Sequence, residues 1–256
     1  MPCELSPHVL IFHHLTKTGG TSLRNALHAL YGADGFVDVY AVEKQSEPWF
    51  RAWRDGIAPE RWSRIRCIAG HQAGALIPLL DGPRAFSIVR DPVERVVSLY
   101  SYLTARYDAG IARNPAAVAI RARGWTLADI YRYAEEAPPE LQVFFNGQTR
   151  AIAEPAGLQP LPFAPVAPAD VPHAVASLER TLDAHYRLGA QERHAASVAR
   201  FARELGWGDL RTGRDNVTAS RPAVDDLPAG VAASILAYNQ LDAALHARAL
   251  REIDEP

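Results

Sequence analysis

The chain has 256 residues, of which 48% are hydrophobic and 22% charged, with a formal net charge of −2. Such a composition can bury the core of one α/β domain and excludes a globally basic nucleic-acid binder. No apolar run approaches the roughly 20 residues of a bilayer span, and the first residues lack the charged and apolar regions of a signal peptide. A cytoplasmic protein is therefore expected, with no nucleic-acid partner and no stable membrane insertion. The excess of arginine over lysine, which occurs only at Lys17 and Lys44, reads as the coding bias of an Ala/Arg-rich bacterial genome.

A first strand is predicted over His8–His14, followed by a glycine-rich turn and a helix over Thr21–Tyr31 that Gly32 stops. Phe36–Tyr40 reads as a second strand. Pro48–Trp62, with Trp49, Phe50, Trp53 and Trp62, reads as an amphipathic helix or a packed loop. Arg64–His71 and Arg84–Arg90 are β-rich runs that end in polar residues. Cys67, in the first of these, reads as a buried strand thiol and Cys3 as a tail thiol; the pair fits no metal spacing. A helix then starts with Asp91 as N-cap, Pro92 in the first position and Glu94 completing a capping box, and reaches Tyr107. Arg95 in its first turn reads as solvated.

The stretch Ala109–Pro168 is irregular, with short helices at Trp125–Glu136 and Glu140–Phe145. Residues 153–172 are rich in proline and read as a loop, a lid or a spacer. Helix Val171–Leu182, strand His185–Gly189, helix Gln191–Leu205, a polar loop over 209–222 and a long helix Leu227–Leu250 complete the chain. The alternation implies a three-layer, P-loop-like α/β fold. Its central, mostly parallel sheet has about five strands flanked by helices, and a single domain spans 1–256. Ligands of such sheets bind beyond the strand C-termini. The glycine turn, His71 and Arg90 all lie there.

The turn Lys17, Thr18, Gly19, Gly20, Thr21, Ser22 places backbone N–H groups, hydroxyls and one ammonium at a helix N-terminus, a setting for an anionic ester. It is not a Walker A loop, because Lys17 precedes the glycines. Alone it is equally a tight structural turn. Arg90 offers a bidentate fork, and Ser98, eight residues on, a hydroxyl; an ion pair of Arg90 with Asp91 or Glu94 is the plainer reading. His71 has the chemistry of a general base, or of a hydrogen-bonded histidine closing a strand. Of His13 and His14, at least one should point into the sheet.

Together these segments resemble the Golgi-type and bacterial sulfotransferases. Phe12–Ser22 resembles their 5′-phosphosulfate loop, with Thr16 where proline is usual. Phe86–Tyr100 resembles their 3′-phosphate motif, with its Arg and Ser at 90 and 98. Ala69-Gly70-His71, the segment Asn146–Arg150 and the stretch Tyr186–Arg193 resemble elements of the uronyl 2-O-sulfotransferase branch. The resemblance spans roughly Val9–Leu250.

The resemblance implies transfer of a sulfuryl group from 3′-phosphoadenosine 5′-phosphosulfate (PAPS) to an acceptor hydroxyl or, as the lesser alternative, an amine, without a metal. His71 would be the base and Lys17 would stabilise the leaving oxygen. Thr18, Gly19, Gly20, Thr21 and Ser22 would hold the 5′-phosphate, and Arg90 and Ser98 the 3′-phosphate. Arg221, in the polar loop, is a weaker nucleotide ligand. Trp49, Phe50, Trp53 and the segment 125–150 line an acceptor pocket or simply pack the core. Two other readings stay open at this point. One is a P-loop-like kinase of a small metabolite with Asp91 on Mg²⁺; the other is a catalytically silent nucleotide-binding protein.

Overall fold

The computed structural model describes residues 8–39, 52–80, 82, 84–111, 114–153, 166–210, 212–213 and 223–255. Five strands form one sheet: β1 (Leu10–His13), β2 (Phe36–Asp38), β3 (Cys67–Gly70), β4 (Ala85–Val89) and β5 (Tyr186–Ala190). Their order is β2-β3-β1-β4-β5, and every pair is parallel. The expected α/β architecture is thus present, with β1 at the centre.

Both faces of the sheet are buried, as parallel sheets require. Along β1, Leu10 and Phe12 enter one core with Phe86, Ile88, Leu23, Leu27 and Phe201. Ile11 enters the opposite core with Val37, Ile68, Leu188, Leu182 and Leu245. The period-2 alternation of a strand therefore serves two helical layers at once. The first layer holds α1 (Gly20–Gly35), which Gly32 kinks at φ 65° without stopping it. A short α2 (Pro59–Trp62) precedes β3.

Next comes α3 (Pro92–Asp108), entered through the predicted Asp91 cap: Oδ1 accepts from Val93 N at 2.9 Å and Glu94 N at 3.0 Å. The capping box does not close, because the Glu94 carboxylate turns to Arg90 instead. Helices α4 (Pro115–Arg123) and α5 (Leu127–Arg132) follow, then 3₁₀ turns at Ala134–Glu136 and Pro139–Phe144. Together with α3 they build a third apolar cluster around Val96, Ile120, Ile130 and Phe144. The middle segment is therefore more helical than its sequence suggests, and it also contains α6 (Gly147–Ala153).

Helix α7 (Val171–His185) leads into β5, and α8 (His194–Leu205) follows a 3₁₀ turn at Gln191–Arg193. The long helix expected over 227–250 is two helices, α9 (Val231–Tyr238) and α10 (Gln240–Asp254). The break is at Asn239, which is buried and whose Nδ2 donates to the Ile235 carbonyl at 2.8 Å and the Phe144 carbonyl at 3.1 Å. Cys67 is buried in β3, and burial raises its thiol pKa; Cys3 lies outside the described residues. Among the described residues no helix is long and apolar enough to cross a membrane.

Candidate active site

The glycine-rich turn joins the centre strand to α1. Lys17 and Gly19 both take left-handed backbone, with φ 68° and 77°. Glycine suits that conformation at 19, where the residue is also the N-cap of α1. No side chain caps this helix end, so its leading N–H groups and the positive end of the helix dipole suit an anion. Gly20 lies directly on an aromatic stack. A Cβ there would sit 2.5 Å from His14 Cδ2 and 2.9 Å from Phe12 Cζ. The Thr18 side chain is fully buried and its hydroxyl donates to the Leu15 carbonyl at 3.0 Å. That hydroxyl closes the turn from inside, so Thr18 can offer a phosphate its backbone N–H rather than the expected side-chain donor. Thr21 is half-buried and Ser22 buried in the first turn of α1.

Strand register sets the histidines. His13 pairs with Gly70 across β1 and β3, so His14 and His71 leave adjacent strands side by side. Their rings are 4.9 Å apart, and His71 Nδ1 hydrogen-bonds the His14 carbonyl. A carbonyl only accepts, so the proton is on Nδ1 and Nε2 keeps its lone pair, the tautomer a general base requires. Burial lowers the His71 pKa, opposed by that same hydrogen bond. His13 and His14 are both buried, one more than the minimum expected. His13 Nδ1 lies 2.8 Å from the Tyr186 hydroxyl, and His14 stacks on Phe12. Burial, reinforced by the charge of His71, brings both pKa values down to about 3.

Arg90 follows β4 and is 9% exposed. Its Nη2 meets Glu94 at 2.8 Å, the plainer pairing foreseen for it, while Nη1 reaches the Lys17 carbonyl at 3.4 Å. The guanidinium therefore sits against the glycine-rich turn. The Arg90 backbone is fixed by Gln148, from the 125–150 segment expected to line an acceptor pocket or pack the core. Gln148 is completely buried; its Oε1 accepts from Arg90 N and its Nε2 donates to the Arg90 carbonyl, both at 2.8 Å.

Gln148 is held in turn by the buried Asp242 on α10. The Asp242 carboxylate accepts from Gln148 N (3.1 Å), Thr149 N (2.7 Å) and the Thr149 hydroxyl (2.8 Å). Asn146 completes the group, its Oδ1 accepting from Leu241 N at 3.0 Å and Asp242 N at 3.2 Å. The next peptide is fixed from β5's side, where Asp91 N donates to Glu192 Oε1 at 3.0 Å. Burial raises the Glu192 pKa, but hydrogen bonds from His246 and Asp91 outweigh it and hold the carboxyl below its usual range. Asp91 itself is engaged as the α3 cap, which leaves it poorly placed for the Mg²⁺ role of the kinase reading.

Arg95 is not solvated. It is 3% exposed and donates to the Thr16 carbonyl at 3.2 Å and the Val143 carbonyl at 3.0 Å, tying the turn to α3 and the 3₁₀ segment. Ser98 is buried on α3, and four residues later the Tyr102 ring lies 4.3 Å from Lys17 Nζ. The structure thus gathers the turn, His71 and Arg90 at the C-terminal ends of β1, β3 and β4. Gln191, beyond β5, closes the side at Gly19, where a Cβ would be 2.7 Å from Gln191 Cγ.

Arg221, Trp49 and Phe50 lie outside the described residues, as do residues 154–165 of the proline-rich stretch and most of the polar loop. Trp53 packs edge-on to Trp62 and against the sheet core. Trp125 and Tyr133 line a shallow cleft of about 360 Å³ with Arg123, Asp129 and Glu136. Among the described residues no cluster of three or more His, Cys, Asp or Glu side chains is arranged to hold a metal.

Among curated proteins, no relative matches the chain. A family model described as "Sulfotransferase family" matches residues 6–140, more than half of the sequence and the part that contains the turn, His71, Arg90 and Ser98, and the chain therefore belongs to the sulfotransferase family.

Proposed function

We propose that this sulfotransferase takes its sulfuryl group from PAPS and passes it to an acceptor hydroxyl by in-line displacement, with the whole of 1–256 acting as one domain. The observation that carries this reading is the contact between Arg90 and the glycine-rich turn. It sets a guanidinium beside an uncapped helix N-terminus, so that two phosphates of one nucleotide find separate holders.

Backbone N–H groups of residues 18–22, with Thr21 and Ser22, hold the 5′-phosphate, while Arg90 and Ser98 hold the 3′-phosphate. Arg221 stays a candidate nucleotide ligand. Lys17 offsets the charge that develops on the bridging oxygen as its bond to sulfur breaks. His71 Nε2 takes the acceptor proton as the new oxygen–sulfur bond forms. The sulfuryl group carries less charge than a phosphoryl group, so the ammonium and the backbone donors meet the electrostatic demand without a metal. The acceptor is a hydroxyl of a glycan, lipid or small molecule. A cytoplasmic setting remains part of the proposal.

Calorimetry with 3′-phosphoadenosine 5′-phosphate (the bisphosphate left after transfer) and with AMP tests the donor. The bisphosphate should bind at least tenfold more tightly; equal affinity would overturn the assignment. Labelled PAPS incubated with lysate fractions, with the product identified by mass, then names the acceptor.

A further inference from the structure

Lys17 and Lys44 are the only lysines of the sequence, which otherwise uses arginine. Lys17 is also one of two non-glycine residues with positive φ among those described. Its ammonium lies over the face of Tyr102, 4.3 Å from the ring centroid. On the same ring, Arg106 places its guanidinium carbon 5.3 Å from the centroid. Ser98, Tyr102 and Arg106 are spaced four apart on α3 and so share one helix face. Tyr102 is 36% exposed, too open to serve as a core residue.

A lysine is a compact charge on a flexible four-carbon stem, and its position must be imposed from outside. A carboxylate would impose it by neutralising the charge. An aromatic face attracts the cation through its quadrupole and leaves the full charge available to an anion. We propose that Tyr102 is the positioning residue for Lys17. Its ring holds the ammonium at the mouth of the glycine-rich turn, where it meets the 5′ end of the incoming nucleotide, and Arg106 extends the cationic rim. The second half of this inference rests on the donor reading above; the Tyr102–Lys17 pairing does not.

Two lysines make the test direct. In protein with ¹³C-labelled lysine, Lys44→Arg leaves the Lys17 signals alone. Its ε-methylene protons should show an upfield ring-current shift that persists in Tyr102→Phe and disappears in Tyr102→Leu; a shift that survives in Tyr102→Leu would overturn the pairing. Calorimetry with 3′-phosphoadenosine 5′-phosphate reads the consequence. Tyr102→Leu should weaken binding roughly three- to thirty-fold, the range of one cation–π contact. Tyr102→Phe should restore it, and adding Tyr102→Leu to Lys17→Ala should change nothing further. Equal losses in the Phe and Leu variants, or additive losses in the double variant, would overturn the positioning role. If the wild type fails to bind the bisphosphate, the donor reading falls, and the lysine spectrum still decides the pairing.

Discussion

The side-chain amide of Gln148 pairs with the peptide of Arg90 much as a neighbouring strand would, accepting from its N–H and donating to its carbonyl, each at 2.8 Å. The β4–β5 ladder ends one residue earlier, at Val89 and Ala190. Gln148 takes over where the ladder stops, so Arg90 leaves the sheet with its backbone still fixed. Gln148→Leu should remove both hydrogen bonds that its amide makes to the buried Arg90 peptide. It should cost about 2–4 kcal/mol in urea unfolding. Gln148→Glu should do the same damage on one side only, by replacing the donor to the Arg90 carbonyl with an acceptor. A loss below about 0.5 kcal/mol in both variants would mean that the amide is not supporting the site.

Arg90→Ala removes the fork while keeping the backbone that Gln148 grips. Binding of 3′-phosphoadenosine 5′-phosphate should fall about ten- to a hundred-fold, the weight of one charge-assisted contact, while AMP binding should change little. Arg90→Lys should recover only part of the loss, because an ammonium lacks the planar fork. Calorimetry with the two nucleotides checks this. Equal weakening of both would show that Arg90 acts through its pairing with Glu94 and its contact with the Lys17 carbonyl rather than on a phosphate.

Much of this arrangement was legible from local chemistry. The strand, glycine-rich turn and helix at residues 10–35, and the Asp91–Pro92 start of α3, follow from patterns a few residues long. What stayed hidden depends on contacts between distant positions. Glu94 looks like a capping-box residue, but the neighbouring Arg90 competes for its carboxylate, and Glu192, from the 3₁₀ turn after β5, takes the Asp91 N–H that a capping box would use. Arg95 reads as solvated because an arginine in the first turn of a helix usually is. It is buried because the Thr16 and Val143 carbonyls, 79 and 48 residues away in the chain, converge on it. The Asn146–Arg150 segment shows polar residues in an irregular stretch, and only the fold brings Asp242 against it. The break between α9 and α10 escapes the apolar periodicity for the same reason: Asn239 serves the Phe144 carbonyl across the interface.

His71→Ala should abolish sulfate transfer and leave bisphosphate binding within about twofold, since the role proposed for its imidazole is toward the acceptor proton and not toward the phosphates. Burial lowers the His71 pKa, so the neutral base should persist to more acidic pH than a free imidazole would. The acid limb of the pH profile for transfer should therefore have its midpoint below about 6.5. Unchanged turnover in His71→Ala would remove it as the base, and an acid limb centred above the ordinary histidine value would contradict its burial.

His13 and His14 make a separate prediction about stability. Both are buried neutral, with pKa values near 3 in the folded protein against the ordinary 6.5. Between those values the unfolded chain binds protons at these positions and the folded protein does not, so stability rises with pH across the window. It is complete above pH 6.5 and is lost as pH falls toward 3. From pH 7 to pH 5 each histidine should account for about 2 kcal/mol of lost stability, or about 4 kcal/mol for the pair. Carboxylates contribute little in that interval, and Glu192, held below its usual range, titrates at still lower pH. Urea unfolding at pH 7 and pH 5 measures the difference, and His14→Gln should remove roughly half of the pair's share whatever it does to stability at pH 7. An unaltered difference between the two pH values in that variant would mean that His14 titrates alike in the folded and unfolded states. The Phe12 ring stacked on its face and the backbone of Gly20 pressed against its edge make a charge on His14 costly there.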